Sequence, residues 1–216
     1  MAYDTARAMM VDSQVRPNKV NDPRIVGAMR TLRRENFVPP HLASLAYSDA
    51  DVPLGHGRAM VEPMVIARLV QLAAVRGGER VLVVGAGSGY GAALLAACGA
   101  RVTALEDDAA LAALARAALA GIDGITLVSG PLAGGWPAGA PYDVVFIEGA
   151  VEDIPPALAT QVRSVSGRLV AVRVAVGGVG QAVLGEVSAA GLTLRADFDC
   201  TAPMLAALRR APAFVF

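Results

Sequence analysis

Alternating glycines in the segment GAGSGYG are the most informative chemical feature of the sequence, and they follow the apolar run VLVV directly. Glycine lets a chain turn tightly and brings its backbone close to a ligand. The GAALLAACG segment begins a predicted helix, whose free N–H groups favour a negatively charged group. The pattern therefore predicts a nucleotide-type cofactor loop in a strand–turn–helix unit. The predicted cofactor-binding residues of this loop are Gly85, Ala86, Gly87, Ser88 and Gly89.

A carboxylate closes the next apolar segment, RVTALE, at Glu106. A carboxylate at the end of the second strand can accept hydrogen bonds from the ribose hydroxyls of an adenosine. A solvated acid at a strand end is the alternative interpretation. The glycine loop favours ribose binding, so we expect Glu106 to contact the cofactor.

Two cofactors share this arrangement, a nicotinamide dinucleotide and S-adenosylmethionine. Tyr90 stands where a dinucleotide fingerprint places its third glycine. This spacing, together with antiparallel strands expected at the C-terminal end, favours S-adenosylmethionine. A dinucleotide-dependent oxidoreductase stays open as an alternative.

The elements that must position these residues alternate between strand and helix. Apolar segments predict strands at 80–84, 101–105, 125–128, 143–148 and 167–173. Helices are predicted near 89–98, 107–119, 154–164 and 180–190. This alternation predicts an α/β fold with a doubly wound, mostly parallel sheet and a ligand at the carboxyl ends of its strands. The segments LTLRADFD and APAFVF are expected to form an antiparallel pair at the C-terminal edge.

The N-terminal part of the chain has a different character. Residues 1–75 predict a helical cap, with loops and short helical turns over 37–63 and a helix that begins at Pro63. Residues 76–216 predict the cofactor-binding sheet. We expect residues 1–216 to form a single domain.

Composition excludes several classes of protein. Apolar residues make up 55% of the chain, charged residues 18%, and the formal net charge is zero, which argues against disorder and nucleic-acid binding. Cys98 and Cys200 lie far apart and predict free buried thiols, as in the cytoplasm. Glycines interrupt the uncharged stretch 81–100, so no membrane span is expected. His56 has no neighbouring His or Cys, which argues against a metal site.

Five segments occur in a specific order: RRENFVPPHLASLAYSDADVPLGHG, RAMVEPMVIARLVQLA, VLVVGAGSGYGAALLA, PYDVVFIEGAVEDIP and SGRLVAVR. Together they resemble the protein-L-isoaspartate O-methyltransferase family over nearly the whole chain. The resemblance implies a Rossmann-like methyltransferase fold and S-adenosylmethionine as cofactor. It further implies protein repair, in which a methyl group passes to the free carboxylate of an isoaspartyl residue in a protein or peptide.

The chain departs from the family pattern at three polar positions. The hydroxyl residue of the G-x-G-x-T-I-S-x-P motif, expected to contact the substrate carboxylate, is Val61 here. Val83 replaces the acid of V-L-E-I-G, which supports the methionine end of the cofactor. Pro131 replaces the Asp of G-D-G, expected to contact the adenine amine. No catalytic residue is therefore assigned, and two hypotheses remain: a carboxyl methyltransferase with altered substrate choice, or an inactive relative that acts as a binding module.

Two acids mark the ends of the fourth predicted strand. Glu148 is expected to open into the site and to supply a substitute carboxylate. Asp143, at the other end of this strand, is expected to be structural, because ligands bind at the carboxyl ends of parallel strands.

Overall fold

The structure, a computed structural model, describes residues 2–175, 178–188 and 190–209. The α-helices in these ranges are α1 Ala2–Met10, α2 Pro23–Thr31, α3 Pro63–Ala73, α4 Tyr90–Ala97, α5 Ala109–Ala118 and α6 Pro156–Ala159. The strands are β1 Val52–Gly55, β2 Arg58–Met60, β3 Arg80–Val84, β4 Arg101–Glu106, β5 Ile125–Ser129, β6 Val144–Val151, β7 Arg168–Val174, β8 Gly180–Ser188 and β9 Gly191–Asp199.

A seven-stranded sheet forms the centre of the fold, in the order β5-β4-β3-β6-β7-β8-β9. Strands β3 to β7 are parallel, whereas β8 and β9 pair antiparallel at one edge. Every residue of β6 is buried, as expected for a central parallel strand covered on both faces. The predicted doubly wound, mostly parallel sheet with an antiparallel C-terminal edge is confirmed.

The prediction of a helix over 180–190 is wrong. Residues Gly180–Ser188 form strand β8, which pairs with both β7 and β9. Ala182 and Val183 are consecutive buried residues of this strand because they pack into the hydrophobic clusters on opposite faces of the sheet. Burial on both faces removes the alternation of apolar and polar residues that identifies a half-buried strand in a sequence. The segment LTLRADFD is β9, and its partner is β8; APAFVF lies outside the described residues.

The helix predicted over 154–164 is much shorter, since α6 ends at Ala159. Beyond it, the backbone pairs with a distant segment. Tyr142 donates its N–H to the carbonyl of Gln161 at 2.8 Å and accepts from the N–H of Arg163 at 2.8 Å. These bonds replace the helical ones, so the chain leaves the helix early.

The region predicted as loops over 37–63 contains an antiparallel hairpin of β1 and β2, with Val52 opposite Met60. The Leu54 side chain of this hairpin lies against Gly87 of the glycine loop. The helix that begins at Pro63 is confirmed as α3. The N-terminal region thus supplies a second wall over the carboxyl ends of the central strands.

None of the helices in the described part of the chain combines the length and apolarity needed to span a bilayer. Across those same residues, His, Cys, Asp and Glu side chains form no group of three or more that could hold a metal ion. Cys98 and Cys200 are buried, free thiols.

Asp143 lies at the amino end of β6, where it joins two distant segments. Its Oδ2 accepts from the N–H of Arg80 at 2.8 Å, and its Oδ1 accepts from Nε of Arg163 at 2.6 Å. We expect Asp143→Ala to lower the free energy of unfolding by about 1.5–3 kcal/mol, because hydrogen bonds to a charged group are lost. Urea unfolding measures this, with exposed Asp123→Ala as control. A loss comparable to that of the control would contradict the structural role.

Candidate functional site

The glycine loop joins β3 to α4 at the carboxyl end of the central strands. Gly85 and Gly89 have φ angles of +76° and +90°, which side chains rarely tolerate. A Cβ on Gly89 would also lie 2.8 Å from Cδ1 of Leu119. Ala86 and Ser88 between them are buried. The loop thus has the tight, backbone-lined shape that the sequence predicts.

Glu106 follows the neighbouring strand and is fully buried. Its carboxylate accepts from the backbone N–H of Gly87 at 2.6 Å, of Asp107 at 3.0 Å and of Asp108 at 3.1 Å. It also accepts from Nη1 and Nη2 of Arg58, at 3.0 and 3.1 Å. All these partners are donors, as an ionised carboxylate requires.

Arg58 is the site residue to which sequence reasoning assigned no role. It lies on β2, and its Nη2 also donates to the carbonyl oxygen of Gly85 at 2.8 Å. The guanidinium thereby occupies the place beside Glu106 that we expected ribose hydroxyls to take. The only signal in the sequence is a lone cation directly after Gly57, at the start of the short run RAMV.

A cleft of about 240 Å³ opens beside this ion pair. Its lining residues are His56, Arg58, Asp107, Asp108, Leu132, Ala206 and Ala207. The acids follow β4 and Leu132 follows β5, so the cleft lies at the carboxyl ends of both strands. Asp108 caps α5 and is 2.9 Å from Nδ1 of His56. The carboxylates and the apolar Leu132 suit the ribose and the base of a nucleoside.

Leu205, which follows the last strand of the sheet, packs against the glycine loop. Leu205 donates its N–H to the carbonyl of Ala150 at 2.9 Å. The Leu205 side chain packs closely against Gly85: a Cβ atom added to Gly85 would lie 3.0 Å from Cδ1 of Leu205. Leu205 and Arg58 therefore fill the space directly over the loop.

The position that corresponds to the family's hydroxyl residue is buried. Val61 is 1% exposed and packs in the core, and it is absent from the lining of the cleft. Its carbonyl accepts from Nη2 of Arg34 at 2.8 Å. Arg34 is itself fully buried and also donates from Nε to the carbonyl of Ala46 at 2.7 Å.

Glu148 does not open into the cleft as expected. Strand β6 continues to Val151, so Glu148 lies within the strand and is 9% exposed. Its Oε1 accepts from the N–H of Gly91 at 3.2 Å. Burial raises the pKa of Glu148 to about 8, which favours the protonated carboxyl at neutral pH.

The three apolar replacements thus have different surroundings. Val83 is fully buried in β3, whereas Pro131 is exposed and precedes Leu132 of the cleft. Neither Val61 nor Val83 presents a polar group to the loop. The structure brings Glu106 and the glycine loop together and adds Arg58 to them.

A family model described as protein-L-isoaspartate(D-aspartate) O-methyltransferase matches residues 6–184. Protein-L-isoaspartate O-methyltransferase 1 of Rhodopseudomonas palustris (strain HaA2) is 41% identical over 171 residues, which are 78% of this chain and 69% of that protein. Protein-L-isoaspartate O-methyltransferase of Methylorubrum populi is 42% identical over 168 residues, 77% of this chain and 79% of that protein.

Solved structures show the same fold. A structure of a protein-L-isoaspartate O-methyltransferase has a TM-score of 0.79 at 22% identity, covering 94% of this chain and 67% of that one. A second, from Plasmodium falciparum, is described as a putative enzyme of this kind in complex with S-adenosyl-L-homocysteine. It has a TM-score of 0.73 at 17% identity and covers 94% of this chain and 98% of that one.

Proposed function

The chain belongs to the protein-L-isoaspartate O-methyltransferase family, and from this we propose that it methylates the free carboxylate of isoaspartyl residues in damaged proteins, with S-adenosylmethionine as methyl donor. The family match over residues 6–184 carries the proposal. The glycine loop beside Glu106 and the cleft supports it, because these features provide a nucleoside-sized polar site at the carboxyl ends of the strands.

The residues present fit the cofactor in part. The cleft between Asp107, Asp108 and Leu132 suits the adenosine half. The amino-acid half belongs over the glycine loop, where Arg58 and Leu205 now pack. Glu106 would hold the ribose hydroxyls only if the Arg58 guanidinium, which now bonds to both of its oxygens, moved aside. We propose Gly85, Ala86, Gly87, Ser88, Gly89 and Glu106 as the cofactor contacts.

The reaction requires little acid–base catalysis by the protein. When bound, S-adenosylmethionine supplies a methyl group on a sulfonium, which is a good leaving group. The substrate carboxylate is ionised at neutral pH, so the protein would not need a general base to activate it. The protein has to align the two groups and exclude water, and the walls formed by the β1–β2 hairpin and Leu205 suit that task.

The apolar Val61 predicts a slow enzyme rather than an inactive one. A hydrogen bond to a charged carboxylate contributes about 1.5–3 kcal/mol, so its absence costs roughly 10- to 100-fold in rate. The buried free thiols Cys98 and Cys200 fit a reducing compartment, and we propose the cytoplasm.

Calorimetric titration with S-adenosylhomocysteine and a methylation assay with labelled S-adenosylmethionine test the function. We expect binding, and a base-labile methyl ester on an isoaspartyl peptide but not on the matched aspartyl peptide. Binding without transfer to either peptide would support the binding-module hypothesis. Absence of both binding and transfer would refute the proposed function.

A further inference from the structure

We propose that Glu148 is a positioning residue that binds the ammonium group at the amino-acid end of the cofactor, in place of the acid absent from β3. This inference rests on the proposed function and deepens it. Four observations carry it: the register of the sheet, an unpartnered carboxyl oxygen, the space left by Gly91, and the contrast with Glu106.

The register places Glu148 on the same face of the sheet as Val83. Val83 pairs with Phe146 on β6, both pack with α4 in one hydrophobic cluster, and the Glu148 carboxyl lies against Gly91 of α4. Glu148 is therefore one step closer to the carboxyl end, beside Gly85. A carboxylate missing from one central strand is thus present on its neighbour, next to the glycine loop.

Only one of the two oxygens of the Glu148 carboxyl accepts a hydrogen bond. Its Oε1 accepts one hydrogen bond from Gly91, but its Oε2 has no hydrogen-bond partner among the described residues. A buried polar oxygen without a partner costs about 1–3 kcal/mol. Glu106, which is close enough to interact electrostatically with Glu148, has donors on both oxygens. A purely structural carboxyl is expected to resemble Glu106, so the open oxygen of Glu148 points to a donor that a ligand brings.

Gly91 makes room for this carboxyl. A Cβ built on Gly91 would overlap Oε2 of Glu148, so any other residue there forces the carboxyl out of its place. Gly91 has ordinary helical geometry in α4, and backbone conformation does not require glycine. The space therefore serves the Glu148 side chain.

The surrounding charges suit a zwitterionic group. Arg34 reaches the cluster from the turn Arg34–Phe37, Arg58 from β2, Tyr90 from α4 and Glu106 from β4. The Arg34 guanidinium lies 4.6 Å from the centroid of the Tyr90 ring. Nη1 of Arg34 and the Tyr90 hydroxyl are buried and interact with each other. The cluster therefore contains a carboxyl group, Glu148, that can bind an ammonium and a guanidinium, Arg34, that can bind a carboxylate.

A pair of ligands that differ only in the amino-acid end tests the proposal. S-adenosylhomocysteine carries this end, and 5′-methylthioadenosine lacks it but keeps the adenosine and the thioether. For the wild-type protein at pH 8, we expect S-adenosylhomocysteine to bind at least about 10-fold more tightly. In Glu148→Gln we expect its affinity to fall by about 10- to 100-fold, with the affinity for 5′-methylthioadenosine unchanged. Exposed Glu186→Gln is the matched control.

The outcomes separate the two proposals. If wild type binds neither ligand, the proposed function fails and this inference fails with it. If wild type binds both, but Glu148→Gln weakens them equally or leaves their ratio unchanged, the role of Glu148 is structural and this inference alone is refuted.

Two further measurements distinguish a loss of ligand contact in Glu148→Gln from a folding defect. Gly91→Ala displaces the same carboxyl, and we expect it to lower the preference for S-adenosylhomocysteine in the same direction. An ammonium beside Oε2 lowers the raised pKa of Glu148, so binding at pH 7 releases a proton, which calorimetry in buffers of different ionisation enthalpy detects. Proton release that is equal for both ligands would contradict the proposal.

Discussion

Replacing Glu148 with glutamine is expected to stabilise the fold by about 3–5 kcal/mol at pH 8.5 and to leave stability nearly unchanged at pH 4. Burial raises the pKa of Glu148 to about 8 from a reference value of 4.5, and each unit of difference corresponds to about 1.4 kcal/mol. Between these pH values the unfolded chain has released the proton and the folded chain retains it. The stability of the wild type therefore falls as pH rises from 4.5 to 8, and it levels off above 8.

Glutamine removes this linkage because it cannot ionise, while its amide oxygen keeps the acceptor for the Gly91 N–H. Urea unfolding of wild type and Glu148→Gln at several pH values between 4 and 9 measures the difference directly. The exposed Glu186→Gln variant controls for the loss of one charge. A difference between Glu148→Gln and wild type that does not change with pH would show that the carboxyl is already ionised in the folded protein.

Glutamine at position 106 is expected to have the opposite effect and to lower the free energy of unfolding by about 3–5 kcal/mol. The Glu106 carboxylate accepts from the Gly87 N–H at 2.6 Å and holds Arg58 through two hydrogen bonds. An amide turns one acceptor into a donor that faces other donors, and it leaves the nearly buried guanidinium with only its longer ion pair to Asp107, at 3.5 Å. Affinity for S-adenosylhomocysteine is also expected to fall by at least about 100-fold, since two ribose hydrogen bonds are lost.

A double-mutant cycle with Arg58→Met resolves the stability effect. Removing both charges is expected to destabilise the fold less than Glu106→Gln alone, because no buried guanidinium is then left with a weakened counter-ion. Urea unfolding of the single and double variants measures the coupling. Additive effects would mean that Arg58 and Glu106 do not depend on each other.

The two substitutions are chemically the same change within one cluster, yet their predicted effects on stability have opposite signs. The reason is the number of donors that reach each carboxyl. Burial raises the pKa of both carboxyls, but at Glu106 the Arg58 guanidinium and backbone N–H donors oppose this effect, whereas Glu148 has one donor and one open oxygen. A carboxyl that lowers stability at neutral pH is typical of a functional site rather than of a structural one.

The sequence by itself determined the parallel sheet and the glycine loop. Strands β3, β4, β6 and β7 were predictable because buried parallel strands are continuous apolar runs. The loop was predictable because Gly85 and Gly89 adopt backbone conformations that other residues avoid. Both signals are local and depend only on neighbouring residues. Strand β8 was missed because Ala182 and Val183 are buried on opposite faces of the sheet, which removes the alternation that identifies a half-buried strand.

Only the tertiary structure decided the chemistry of the site. Arg58 meets Glu106 because the β1–β2 hairpin folds over the central strands, and Glu148 is buried because β6 extends to Val151 beneath the start of α4. A residue's type does not reveal which donors surround it or how far water is excluded. Those conditions come from segments far apart in the chain, and they set whether Glu106 and Glu148 carry a charge, hold a neighbour or leave an oxygen open to a ligand.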